Sequence, residues 1–437
     1  MSSEEPLNIA LIGFGTVGTG VARILTTQGE NIKTRAGRPI RIKHVVVRDT
    51  SRQREFLPDD AAVSDSVDAV VSDPDVHLAV QLIGGVNPAF DFMTRLLNAG
   101  KDIVTANKAL IYEHGQDLFR LAADQGRTIG FEAAVAGGIP IIGAVTQSLT
   151  GNQVQAIEAI LNGTSNFILT QMLDHRQSYD DVLKEAQQLG YAEADPAMDV
   201  DGTDAAQKLS ILTWLAYGTP VRLEDFVRQG IENLQLLDLQ VASELGYKIK
   251  LLAISRLKDD HLEVSVQPTL IRKDRTIAQT DGADNIAAVW GDSVGKTTFS
   301  GAGAGQLPTA SAVVADIIDH AVGRAAVTFQ SVLRSVKSQP VQLQPQDELS
   351  RRYYLRFTVD DKPHVLADIA DVLGRNKISI SSVRQDETPE DDENGNGLAR
   401  LVIMTHRTTE GCLRAANEEF SQLSCVRGTS IRLPVAD

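Results

Sequence analysis

From residue 8 to about residue 150, short apolar runs alternate with stretches whose apolar positions return at helical spacing. Residues 8–12, 41–47, 68–71, 78–83, 101–105 and 128–131 read as strands. Several are apolar on consecutive positions, as expected of parallel strands buried on both faces. Helical patterns between them give the βαβ rhythm of a doubly wound α/β sheet. After residue 150 the rhythm changes. Residues 153–161 read as a strand and 164–173 as a helix. Residues 178–190 read as a second helix, with Ser178 as N-cap and Gly190 as its stop. A long helix is expected from about Asp201 to Tyr217, strands near 250–257 and 262–268, and a helical stretch over 309–334.

Residues 335–351 are rich in Gln and Pro and poor in apolar residues, which predicts a linker. Beyond it the pattern is βαββαβ: strands at 352–359, 378–386, 398–406 and 426–433, helices at 364–376 and 409–423. The acidic stretch 388–397 reads as a mobile loop. The expected organisation is a dinucleotide-binding unit over 1–150, rejoined by a return helix within 309–330. An α+β substrate and dimerisation unit follows over 151–330, and a ferredoxin-like unit over 352–437.

Composition removes several classes. Acidic residues outnumber basic ones, 57 to 42, for a net charge of -15, which speaks against a nucleic-acid partner. The only cysteines are Cys412 and Cys425, too few for a disulfide framework or a zinc cluster. The N-terminus lacks the basic start and apolar run of a signal peptide, and no apolar stretch is long enough to span a bilayer. The expected location is cytoplasmic.

Gly13, Gly15 and Gly18 form a G-x-G-x-x-G run between a predicted strand and a predicted helix. The first glycine permits the tight turn. The second lets the backbone approach a pyrophosphate, and the third allows close helix–strand packing. Unpaired N–H groups at the helix start suit phosphate. Glycines serving only a turn are the alternative. The second strand ends in Arg48-Asp49: an acidic residue there would bind the ribose hydroxyls of NAD, and an arginine the 2′-phosphate of NADP. Cofactor choice therefore stays open, leaning to NADP. A second glycine run, 291–297, has one residue too few for a P-loop and reads as a turn between strands.

The segment 190–212 places Glu193, Asp195, Asp199 and Asp201 ahead of a helix carrying Asp204 and Lys208. The last two, four residues apart, share a helix face. Periodicity leaves two readings open: an ordinary surface ion pair, or a partly desolvated pair with shifted proton affinity.

Six blocks resemble the homoserine dehydrogenase family: LIGG (82–85), VTANKALI (104–111), EAAVAGGIPII (132–142), LNGTSNFILTQM (161–172), 190–209 and GAGAGQLPTASAVVADI (301–317). The C-terminal unit resembles an ACT domain, a ligand-sensing module. The resemblance implies reversible NAD(P)H-dependent reduction of L-aspartate 4-semialdehyde to L-homoserine, feeding threonine, methionine and isoleucine synthesis. It implies Lys208 as the general acid, Asp204 as its orienting partner and a substrate contact, and Glu193 and Asp199 as further substrate contacts. Lys108 would sit between cofactor and substrate. Gly13, Phe14, Gly15, Thr16, Val17, Gly18, Arg48 and Gly303 would line the cofactor site. Glu132, with backbone carbonyls of Val135, Gly137 and Ile139, would hold a monovalent cation, Na+ or K+, and oxygen ligands do suit a hard cation. A homodimer or homotetramer is expected.

The chemistry fits these roles. Hydride transfer to an aldehyde leaves a developing alkoxide, and a protonated lysine can neutralise it. Oxidation of the alcohol needs the same lysine neutral, so that direction should quicken at alkaline pH. Two departures stand out. Gln81 replaces an acidic residue expected before LIGG and is read as a neighbour of the site. In the ACT-like unit the usual D-x-P-G turn reads DDKPH, with His364 in place of glycine, which weakens the case for a threonine effector and leaves a dimerisation role open. Among rivals, aspartate-semialdehyde dehydrogenase needs a catalytic cysteine, and both cysteines lie in the C-terminal unit. A cofactor-sensing binding protein without turnover would not need the Lys108, Asp204 and Lys208 set. No residues remain to build a fused kinase.

Overall fold

The computed structural model describes residues 5–192, 195–336, 339–391 and 397–436, with the side chains of 386–391 left aside. Six strands form the first sheet: β1 (Leu7–Ile12), β2 (Ile40–Val46), β3 (Ala62–Ser64), β4 (Leu78–Gln81), β5 (Asp102–Thr105) and β6 (Ile129–Gly130). All pairings are parallel, in the order β3-β2-β1-β4-β5-β6. The order reverses beside β1, so the crevice at the carboxyl ends of β1 and β4 is the place for a ligand. Residues 68–71, expected as a strand, begin a helix, Asp68–Ser72. Val70 alone of that run is fully buried. Ser66 Oγ accepts the Asp68 N–H at 3.1 Å in a local turn just ahead of the helix, whose N-cap position is Val67 and carries no side-chain cap. The short edge strand β3 was not foreseen.

The expected return helix is Gln306–Ala321. Its Val313, Val314 and Ile317 share one core with Leu7, Ile9, Leu11 and Val21. A Cβ on Gly20 would come within 2.9 Å of Ala310 Cβ, so glycine lets this helix lie directly on the first one, Thr16–Thr27. The predicted stretch to 334 is two helices, broken at Gly323, which holds φ +80° ahead of Arg324–Ser335.

The second sheet uses β7 (Val154–Ile160), β8 (Val227–Arg228), β9 (Tyr247–Lys258), β10 (His261–Arg272), β11 (Asp284–Gly291) and β12 (Gly295–Ala302). It continues with β13 (Gln342–Leu343), β14 (Ser350–Asp360), β15 (Ile380–Asp391), β16 (Gly397–Thr405), β17 (Thr408–Thr409) and β18 (Val426–Ala436). Its main path runs β12-β11-β7-β9-β10-β18-β14-β16-β15. The glycine run at 291–297 is the β11–β12 turn. The C-terminal unit is thus not a bead on a linker. Its last strand pairs in parallel with β10, Leu270 opposite Val435 and Ile271 opposite Ala436. The expected linker contains β13, a 3-10 turn at Gln346–Glu348 and the start of β14, with 337–338 outside the described residues. Residues 388–391 extend β15, and 392–396 of the acidic loop also lie outside them.

A buried ion pair reinforces the join. Asp238, fully buried, accepts from Arg356 Nε at 2.6 Å and Tyr354 Oη at 3.0 Å, and also caps its own helix, Leu236–Glu244, at the Gln235 N–H. Asp238→Ala would strand the Arg356 charge in the interior and is expected to cost about 3–5 kcal/mol in a denaturant melt. Arg356→Leu with Asp238→Leu together should recover much of that loss.

Candidate functional site

Gly13 to Gly18, Arg48 and Lys108 follow the carboxyl ends of strands β1, β2 and β5 of the parallel sheet, whereas Gly303 comes from the second sheet. Gly13, at φ +101°, turns the chain out of β1, where a Cβ would lie 2.9 Å from Ile83 Cγ2. A Cβ on Gly18 would lie 2.5 Å from Gly13 O, whereas Gly15 has nothing within 4 Å. The cradle is therefore tight beneath and open above. Thr16 and Val17 begin a helix whose N-cap, Gly15, supplies no side chain, which leaves its first N–H groups for an anion. Phe14 is buried under the turn and Arg48 is exposed just past β2. These features fit a dinucleotide pyrophosphate. Gly303 follows β12. Asn285 Nδ2 stands 2.0 Å from where a Cβ on Gly303 would be, so no side chain fits there.

Lys108 opens the helix Lys108–Asp124 directly after β5. Asn107 fixes that start. Its carbonyl accepts the Leu110 N–H at 3.1 Å, and its amide donates to Ile83 O and Gly85 O, tying the helix to the LIGG loop. Gln81, wholly buried, holds the same loop through Ile83 O and accepts from Thr105 Oγ1. It shapes the loop from beneath, in keeping with its reading as a neighbour.

The helix Thr203–Tyr217 brings Asp204 and Lys208 to Lys108. Asp204 Oδ1 lies 3.0 Å from Lys108 Nζ, and Asp204 Oδ2 lies 2.8 Å from Lys208 Nζ. The Asp204 side chain is 7% exposed and that of Lys208 12%, so the surface ion-pair reading is set aside. Burial opposes ionisation of Asp204, yet Lys208, Lys108 and the Asn162 amide hold its carboxyl well below the usual carboxylate range. Lys208 also donates to Leu161 O at 2.8 Å. Among the described residues these engage two of its three N–H groups, which leaves one for an oxygen of a bound molecule.

Asn162 is the residue that sequence reading missed. It sits ahead of the helix Gly163–His175, where its carbonyl accepts the Ser165 N–H at 2.7 Å. Its amide donates to Asp199 at 2.7 Å and Asp204 at 2.8 Å. Burial, with Asp204 adding to it, raises the Asp199 carboxyl above its ordinary value against the Asn162 bond. The signal available was an Asn before an apolar helix, the preferred cap. Of the other carboxylates, Asp201 faces Arg228 at 2.9 Å and Asp195 caps a local turn at Ala197. Glu193 lies outside the described residues.

Glu132, in the turn Glu132–Ala134 after β6, accepts the N–H groups of Ile142 at 2.9 Å and Gly143 at 2.7 Å. Burial pushes its carboxyl up to about 7, and Asp319 adds to this. Asp316, buried beside it, is raised well above the carboxylate range by burial and by Glu132. The backbone from Val135 to Ile139 bends through Ala136 at φ +56° and Gly137 at φ +47°, and a Cβ on Gly137 would lie 2.6 Å from Gly303 O. The turn bearing Val135, Gly137 and Ile139 therefore rests on the Gly303 turn.

In the C-terminal unit, His364 adopts φ +77° at the start of the helix Val365–Arg375, a conformation glycine would take more easily. A cleft of about 570 Å³ opens there, beside Asp360, Lys362 and Gln385.

Three family models match the chain: "Homoserine dehydrogenase, NAD binding domain" over 13–132, "Homoserine dehydrogenase" over 140–318 and "ACT domain" over 353–425. The homoserine dehydrogenase of Neisseria gonorrhoeae is 43% identical over 97% of both chains, and that of Pseudomonas aeruginosa 39% over 99% of both. The crystal structure of a homoserine dehydrogenase from Thiobacillus denitrificans superposes with TM-score 0.91 at 40% identity over 99% of both chains. A hyperthermophilic archaeal homoserine dehydrogenase mutant, solved with NADPH, covers 72% of the chain at TM-score 0.61 and 27% identity, matched over 97% of its own length.

Proposed function

This chain belongs to the homoserine dehydrogenase family of NAD(P)-dependent oxidoreductases and carries a C-terminal ACT domain, and we propose that its chemistry turns on Lys208. The observation that carries the reading is one buried carboxylate, Asp204, gripped by Lys108 and Lys208 between the helices Lys108–Asp124 and Thr203–Tyr217.

When bound, the nicotinamide supplies or accepts the hydride. Lys208 Nζ donates a proton to the aldehyde oxygen as the carbonyl is reduced and removes it from the alcohol in reverse. Asp204, kept ionised, orients Lys208 and steadies its positive charge. The Asn162 amide, donating to both Asp199 and Asp204, offsets part of their mutual repulsion. Asp199, with Glu193, receives the substrate ammonium. Lys108 bridges substrate and cofactor sides and adds positive charge where the alkoxide develops. In the pyrophosphate cradle, Gly13, Phe14, Gly15, Thr16, Val17 and Gly18 hold the cofactor, with Gly303 closing over it. A spectrophotometric assay of NAD(P)H formation from L-homoserine tests the reading; a binding protein would give no turnover above blank.

Arg48 favours NADP by facing its 2′-phosphate. Arg48→Ala should raise the KM for NADPH at least about tenfold and change that for NADH by no more than about twofold. Equal effects on both would remove the arginine from the phosphate site.

A monovalent cation, Na+ or K+, beside Glu132 and the carbonyls of Val135, Gly137 and Ile139 would offset a buried charge whose acidic neighbours repel it. An acid whose pKa rises on folding costs stability as pH climbs from its ordinary 4.5 through about 7. Above that range, exchanging tetramethylammonium for K+ should raise Tm by several degrees, on the order expected of a bound ligand. Glu132→Gln should abolish the difference.

The unit boundaries expected from sequence serve as the working division: 1–150 with the return helix, 151–330, and 352–437. We assign the middle unit the homodimer or homotetramer contact and the His364 turn an amino-acid effector such as threonine. A threonine titration without inhibition or thermal shift would remove the effector.

A further inference from the structure

A second cleft, of about 450 Å³, lies between the ACT domain and the body of the enzyme, away from the His364 turn. Arg228 and Asn233 line it from the body, and Asn417, Thr429, Ser430 and Arg432 from the ACT domain. Among the described residues no aspartate or glutamate lines it. Two guanidiniums with neutral amides and hydroxyls suit a small anion, and the forked donors of arginine match carboxylate oxygens. Arginines from both domains suit a molecule with a carboxylate at each end. The lining offers no carboxylate for an ammonium group, which disfavours a cationic ligand.

One wall of this cleft is tied to the catalytic helix. Arg228 Nη1 donates to Asp201 O at 3.1 Å and Thr203 Oγ1 at 2.8 Å, and lies 2.9 Å from Asp201 Oδ2. Asp201 in turn holds the Thr203 N–H at 2.7 Å. Asp204 is the next residue, and Lys208 lies one helical turn on. The backbone behind Arg228 leaves little slack: Ile231 N donates to Val200 O at 2.8 Å, and a Cβ on Gly230 would lie 2.2 Å from that oxygen. Arg432 meets Glu410 at 3.0 Å, itself bonded to Tyr353 Oη, so the opposite wall is fixed to the ACT core.

We propose that this cleft binds a small dicarboxylate and that Arg228 passes its occupancy to the Asp201–Thr203 turn that starts the catalytic helix. A carboxylate taking Arg228 donors loosens their hold on that turn and so changes how Asp204 presents Lys208. The coupling rests on the role given above to Lys208; the binding does not.

The test is calorimetric titration of the full-length enzyme with succinate. Saturable heat is expected with Kd on the order of 1 mM. Asn233→Asp, isosteric but negatively charged, and Thr429→Trp, which fills the cleft, should each weaken binding at least about tenfold. In wild type, saturating succinate should shift kcat/KM for homoserine by about fivefold or more, and in the variants it should not. No saturable heat up to about 50 mM, or wild-type affinity in either folded variant, overturns the site. Binding without any change in kcat/KM overturns the coupling. Because binding is read as heat, its failure leaves the assignment of Lys208 untouched.

Discussion

Replacing Lys208 by alanine is expected to lower kcat for homoserine oxidation by about three orders of magnitude while the Kd for NADP+ stays within about twofold. The asymmetry follows from position. Lys208 lies on the helix Thr203–Tyr217, while the proposed pyrophosphate cradle, residues 13–18, is the turn and helix start after β1. Its neighbours would feel the loss. Asp204 would keep Lys108 and Asn162 as partners, so the site should remain folded. Lys208→Arg would retain the charge but hold its proton too firmly to give it up, and should recover little of the rate. Turnover of Lys208→Ala near the wild-type rate, in either direction, would move the proton transfer to another group.

Asn162→Ala should give the second largest loss, about a hundredfold in kcat/KM, with a stability decrease of about 1 kcal/mol from the missing helix cap. The two effects have separate origins in one side chain, its carbonyl capping the helix and its amide separating Asp199 from Asp204. A purely structural role predicts an unchanged pH profile. Loss of the amide instead removes a bond that favours the charged form of Asp199, whose carboxyl already lies above its ordinary value. The acid limb of kcat/KM should therefore move to higher pH. Asn162→Asp preserves the cap but buries a third carboxylate against the pair, so it should restore neither activity nor full stability. An unshifted acid limb in Asn162→Ala would confine this residue to capping.

How much of this could be read from the residues depended on distance along the chain. The glycine run at 13–18, the Ser178 cap and the β11–β12 turn are short-range features, and each took the form its spacing implied. The Asp204–Lys208 pair was visible as a helix-face pair, but its burial was not, because the walls that cover it include Leu161 and Asn162 from a distant segment. Lys108 joins it across a sequence separation that no periodicity reports. The run at 68–71 was misread because four residues with three apolar positions fit a strand as well as a helix, and only Val70 of them is buried against the core. Sequence also treated the polar stretch before residue 352 as a spacer. Strand register between β10 and β18 is set by tertiary packing and left no mark on either strand.

That shared sheet makes the sensing domain mechanically part of the catalytic body. An enzyme cut short before β14 would not simply lose its regulator. It would bare the far end of β10, where Leu270 and Ile271 stand, as an open edge able to recruit other chains. It would also strip Asp238 of Tyr354 and Arg356, its partners from β14. A truncated enzyme is therefore expected to associate through this edge, read as a rise in mass by light scattering that the full-length protein does not show.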